Sequence, residues 1–161
     1  MNPADVLKYG HTFVTRTLDG LPLTEWEAGG VCGVWSVKDI VGHLAAYEHF
    51  LTEVLSPFAN ITIDNVLMRQ MGQLGADGFN NAQATSRKDQ TAEQVLAEYI
   101  DTFTYNQEQI VPKVPAAIWS QVGAIPWYGA EYSLDDYIVY SFYGHKREHS
   151  AEINVFKDRI K

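Results

Sequence analysis

Apolar residues recur at intervals of three and four along most of the chain, the spacing that lines one face of an α-helix. Val6, Leu7, His11, Val14 and Leu18 form the first stripe, with Phe13 beside it. Asn2 stands as its cap, Pro3 as its first helical residue, and Asp19-Gly20 as its stop. Leu21 to Trp26 reads as a short helical turn, with Thr24 and Glu27 in capping-box register, and Gly29, Gly30 and Gly33 keep the following connection irregular. The cleanest start signal is Ser36-Val-Lys-Asp39, a serine cap with an acidic residue three positions on. It predicts a helix over Val37–Leu55, ending before Pro57, with Ile40, His43, Leu44, Tyr47, Leu51 and Val54 on its apolar side and Trp35 anchored just ahead of it. Thr91 opens a third main helix through Ala92, Val95, Leu96, Tyr99, Phe103 and Ile110, which ends before Pro112 or Pro115. A second serine–aspartate pair, Ser133 and Asp136, opens the last helix, Leu134 to Arg159.

The pattern is weakest over Asn60–Gln90. Ile61–Met71 suits a short helix, after which Gly72, Gly75, Gly78 and Asn80-Asn81 predict irregular chain. A loop of that length in a compact domain carries function or marks a misread element. No hairpin signal competes with the helices. The expected fold is all-α, a four-helix bundle in which facing helices can build a metal site in the core.

Composition narrows the function classes. The 161 residues suit one domain spanning 1–161, a size that buries about two thirds of its unfolded surface. Twelve basic residues against twenty acidic ones give a net charge of −8, with no basic stripe to neutralise phosphates, so nucleic acid is not expected as a partner. The single Cys32 excludes a disulfide framework and a cysteine-rich metal site, and it lies outside any helix start that would activate it as a nucleophile. No apolar run reaches membrane-spanning length and the N-terminus lacks the pattern of a secretion signal, which makes a cytoplasmic location the expectation. Neither a glycine-rich phosphate loop nor a serine-hydrolase elbow is present.

The histidines carry the chemistry. His145 and His149 lie four residues apart, so their side chains stack on one helix face. The apolar stripe Leu134, Ile138, Phe142, Ile153 and Phe156 contains both of them. His43 lies on the apolar side of the second helix. If that helix and the last run parallel, the three imidazoles share nearly one layer. Three imidazoles with open positions are the donor set of a catalytic zinc-like site, and three ordinary hydrogen-bonded core histidines are the alternative reading. His49 falls on the other side of its helix and reads as a surface residue. His11, on the inward stripe of the first helix, reads as a fourth ligand, a pocket residue or a satisfied core histidine. Glu148 projects about 100° away from the histidine pair and reads as solvated. Glu152, three residues beyond His149, is placed either to orient an imidazole or to lie on the surface. Tyr47, one turn from His43, suits a phenolic hydrogen bond near an ion or plain packing. Trp127 and Tyr128 suit either a pocket mouth or the cover of the bundle end.

Trp35-Ser-Val-Lys-Asp-Ile-Val-Gly-His43-Leu, joined to His145-x3-His149 in the last helix, resembles the DinB-like (damage-inducible) superfamily of metal-binding four-helix bundles. The resemblance covers essentially the whole chain. That superfamily shares its fold with mycothiol-dependent maleylpyruvate isomerases and bacillithiol transferases. The resemblance implies an up-up-down-down helix order with a long crossover between the second and third helices, here Asn60–Gln90. It also implies a homodimer and a divalent ion, zinc or nickel, held by His43, His145 and His149; His11 has no counterpart in the motif.

Two enzyme readings follow, with a third that is not catalytic. A metal-dependent thiol S-transferase would join a low-molecular-weight thiol to a small electrophile, and a metal-dependent hydrolase would use water instead. The third reading is a metal-binding stress-response protein. No general base is identifiable from the sequence.

Overall fold

The computed structural model describes residues 2–161, and its regular elements are helices. Helix α1 spans Pro3–Leu18, α2 Val37–Leu55, α3 Val66–Ser86 and α4 Ala92–Tyr105. The last of these continues through a wider π-type turn, Asn106–Ile110, and a tight turn, Val111–Lys113. A short α5, Ala116–Trp119, precedes the C-terminal helix, which consists of α6 (Leu134–Ile138), a π-type stretch over Val139–Gly144, and α7 (His145–Arg159). Among the described residues, no helix is long and apolar enough to cross a membrane.

The helix starts follow the polar residues that announce them. Ser36 and Asp39, Thr91 and Gln94, and Ser133 and Asp136 each form a reciprocal capping box, satisfying backbone donors that a helix start leaves unpaired. Helix α3 has no cap of its own; the Glu53 carboxylate of α2 accepts from the N–H groups of Leu67 and Met68 at 2.9 and 2.8 Å instead. The C-terminal end of α1 is closed from α7, where Lys157 Nζ donates to the carbonyls of Thr17 and Asp19, both at 2.8 Å. A cation there also complements the helix dipole.

Two apolar clusters give the directions of the helices. One gathers Leu7, Leu51, Leu55, Phe103, Ile110, Leu134, Ile138 and Phe142. The other gathers Val14, Leu18, Val37, Ile40, Leu44, Val95, Tyr99, Ile153 and Phe156. The chain therefore passes from the first cluster to the second along α1 and α6–α7, and from the second to the first along α2 and α4. The order is up, down, down, up, not the up-up-down-down order implied by the resemblance. The physical reason is which helix ends share an apolar cluster, and the longest connection runs between the parallel α2 and α4. The same directions make α2 antiparallel to the C-terminal helix, so the parallel alignment behind the single-layer argument does not hold.

The crossover is itself a long helix. Ile61 lies before it, and Gly72 and Gly78 sit inside it; only Gly75 leaves helical geometry, with φ 68° and ψ 175°. An internal glycine weakens a helix by about 1 kcal/mol without breaking it. Packing offsets that deficit here, because Phe79 is fully buried against the rings of Tyr47 and Phe50, with centroids 6.0 Å from each. With α3 added, more than four helices pack together.

Candidate metal centre

His43 stands on α2, seven residues in, and His145 and His149 occupy the first two turns of α7. The antiparallel packing that defeats a layer argument still brings them together, because Trp35 and His43 face His149 and His145 while Glu48 faces Lys146. His145 Nε2 lies 2.7 Å from His43 Nε2 and 2.9 Å from His149 Nε2. Three ligand atoms, one per histidine, fall within 4.8 Å of one another. His43 and His149 are 3% and 7% exposed, so their nitrogens point at each other rather than into solvent.

The protons tell against a purely hydrogen-bonded cluster. Glu152 Oε2 lies 2.7 Å from His149 Nδ1. A carboxylate only accepts, so Nδ1 carries the proton and the His149 Nε2 lone pair faces inward. The N–H of His145 Nε2 would then have to serve two neighbouring lone pairs, or lone pairs would face one another. His43 Nδ1 is buried with no hydrogen-bond partner among the described residues, and a proton on that nitrogen leaves the Nε2 lone pair facing inward as well. A cation placed among three inward lone pairs removes the conflict. The nitrogen separations are a few tenths of an ångström under the roughly 3.0–3.4 Å between neighbouring ligands at about 2.1 Å from an ion, a small outward movement. The residues present thus fit a divalent ion.

Electrostatics agree. Burial, then the neighbouring His145 and His149, depress His43 to a pKa of about 2. Burial, then His149 and Lys146, bring His145 to about 3. Both are therefore neutral and able to donate at physiological pH.

One side of the cluster opens into a cleft of about 620 Å³. Trp35 and Tyr47 wall it, with ring centroids 4.9 and 4.7 Å from His43. Asp77, Asn80 and Asn81 reach it from α3, and Glu148 and Glu152 from α7. Cys32 also lines it, and its thiol, Glu152 and His149 form a second donor group sharing the His149 ring. Burial and the Glu152 carboxylate push that thiol up to about 11, so it is protonated and a poor nucleophile.

Of the auxiliary residues singled out in the sequence, the structure brings Tyr47 and Glu152 to the site and leaves His11 and Trp127 away from it. His11 lies flat on Phe103, centroids 3.8 Å apart, and its Nδ1 is 3.2 Å from the Tyr99 hydroxyl. It is a half-buried histidine held by aromatic contacts. Trp127 packs on Phe50 and Tyr137 and is not among the cleft-lining residues. His49 is on the surface side, 3.1 Å from Glu98. Glu148 is exposed as expected, yet its carboxylate borders the cleft. The α3 residues were missed. Asp77, Asn80 and Asn81 have the three- and four-residue spacing of one helix face, a signal hidden by reading that segment as loop.

The fold and the site together define an all-helical protein with a clustered histidine centre suited to metal binding. Comparison with known protein families, curated proteins and solved structures finds no match to this chain.

Proposed function

We propose that the chain is a DinB-like metalloenzyme that holds a zinc or nickel ion through His43, His145 and His149 and transfers a small electrophile onto a low-molecular-weight thiol. The observation that carries this reading is the convergence of three Nε2 atoms beside an open cleft; a purely structural ion would be closed off by a fourth protein ligand. The ion supplies one piece of chemistry, lowering the pKa of a thiol that reaches it. The protein supplies the rest. Glu152 fixes the ring of His149, and Trp35 and Tyr47 wall the cleft and limit water. Glu148, on the rim, accepts the thiol proton. The carbon–sulfur bond forms as the electrophile's leaving group departs with its electron pair, so R–SH and R′–X become R–S–R′, X⁻ and a proton. The same reading makes the protein a cytoplasmic homodimer.

A hydrolase is the second reading, favoured by the rim carboxylates of Asp77 and Glu148, which provide the general base that the sequence does not identify. The discriminating experiment reloads metal-free protein with zinc or nickel and follows both reactions. Thiol consumption that requires the electrophile and vanishes in His149→Ala supports the transferase. Chelator-sensitive ester or amide cleavage without any thiol supports the hydrolase. Purified protein that takes up no divalent ion by elemental analysis overturns both.

A further inference from the structure

The charge around the cleft is one-sided. Asp77, Glu148 and Glu152 line it, and among the described residues no lysine or arginine does. Nearby cations are engaged elsewhere. Arg87 is held by Glu98 through two contacts of 3.0 and 2.7 Å. Lys38 donates to Glu27 at 2.8 Å, and Lys146 is buried in a pair with Glu48. Arg147 lies over the rings of Phe13 and Tyr143. Glu152 is committed to His149, whereas the Asp77 and Glu148 side chains have no hydrogen bond or ion pair among the described residues. A divalent ion on three neutral imidazoles contributes two positive charges against three carboxylates, so the filled site stays negative before any ligand arrives. Two aromatic side chains, Trp35 and Tyr47, also line the cleft, and an aromatic ring attracts a cation set over its face.

We infer that this cleft selects small molecules bearing a cationic ammonium group and rejects anionic ones. The inference rests on the metal-centre reading and narrows its thiol to one carrying positive charge. Low-dielectric walls focus the field of like charges into a cleft. One unit charge on a ligand about 4 Å from a single exposed carboxylate changes binding roughly fivefold even in a water-like medium. Exchanging a cation for an anion doubles that effect in free energy and so squares the ratio, giving an expected preference of about 25-fold.

The test uses cobalt(II) as the probe ion in the full chain. Thiocholine, 2-mercaptoethanol and 2-mercaptoethanesulfonate present the same two-carbon thiol with a positive, neutral or negative end, and neither charged end is a good ligand. Each is titrated while sulfur-to-cobalt charge-transfer absorption is followed, and binding is referred to the thiolate concentration. The expected order is thiocholine, then mercaptoethanol, then the sulfonate, with about 25-fold between the extremes. In Asp77→Asn combined with Glu148→Gln, the spread should shrink to about twofold. Equal affinities, a reversed order or a spread unchanged in the double variant would overturn the inference while leaving the metal centre standing. Failure to bind cobalt, or a cobalt spectrum that no thiol alters, would overturn the thiol-binding metal-centre reading itself and this inference with it.

Discussion

Glu152 Oε2 and His149 Nδ1 are 2.7 Å apart, and this one contact decides which nitrogen of His149 faces the other two imidazoles. Without the carboxylate the ring is free to carry its proton on either nitrogen, and one of the two tautomers cannot bind a cation. Replacing Glu152 by Gln or Ala is therefore expected to weaken zinc binding by about ten- to a hundredfold while leaving the protein folded. Competition against a chromophoric chelator measures this. Unchanged affinity would show that packing alone orients the ring.

Directly beside the site, Lys146 and Glu48 form an ion pair with side chains only 2% and 1% exposed. Asn106 Nδ2 donates to the Glu48 carbonyl at 2.8 Å and reaches its carboxylate at 3.2 Å. The lysine ammonium also sits over the rings of Phe103 and Tyr99, 5.2 and 5.6 Å from their centroids. Removing one partner leaves a buried charge unpaired, so Glu48→Gln or Lys146→Met should each destabilise by about 3–5 kcal/mol. Combining Glu48→Gln with Lys146→Met should cost less than the sum of the two single changes. Urea unfolding of the two single variants and the pair reads out the difference.

The metal-free protein should lose stability in mild acid. His43, His145 and His11 sit at about 2, 3 and 4, each lowered chiefly by burial. In the unfolded chain these rings take up protons near 6.5. Between that value and the folded ones the unfolded state binds more protons, so stability falls as pH falls across the interval and is fully present above it. Each such ring contributes at most about 1.4 kcal/mol per pH unit. Thermal melts of chelator-treated protein from near-neutral to mildly acid pH should show a steady decline, and His43→Gln should flatten it by about one proton's worth. A flat profile in the unsubstituted protein would contradict the burial of neutral imidazoles.

Gly75 is the hinge of the crossover. Its φ of 68° with ψ of 175° is backbone geometry that residues with a Cβ avoid. Gly75→Ala is expected to destabilise the protein by about 1–3 kcal/mol. It should also loosen the α3 wall of the cleft, while the three histidines, all on α2 and α7, keep their affinity for zinc. Hydrogen exchange over residues 66–86 together with a zinc titration separates the two effects; a matching loss of metal affinity would show that α3 helps hold the ligands.

Much of the fold was legible because its signals are local. Ser36 with Asp39 and Ser133 with Asp136 mark helix starts that the structure reproduces to the residue, and the histidine spacing follows once those helices are placed. Helix α3 was not legible. Its glycines lower local propensity, and what makes it a helix lies elsewhere in the chain: Glu53 bonding its first turn and the pocket that takes Phe79. Helix direction was not legible either, since it is fixed by which ends of the helices share a cluster. The convergence of His43 with His145 survived the wrong alignment because each lies on an inward stripe and the antiparallel packing sets them at one height, with Trp35 beside His149 and Glu48 beside Lys146.

The widened turn over Val139–Gly144 separates two jobs done by one helix. Upstream, Leu134 and Ile138 anchor it in the apolar cluster; downstream, His145 and His149 face the cleft. A π-type turn holds one residue more than regular helix requires. Deleting exposed Tyr140 would let it close to ordinary α-helix with both flanking faces kept. Deleting a residue between His145 and His149 would swing one ring about 100° out of place. The helix therefore carries a single spare link, and the chain can change length at that link without disturbing the ligands on either side of the cleft.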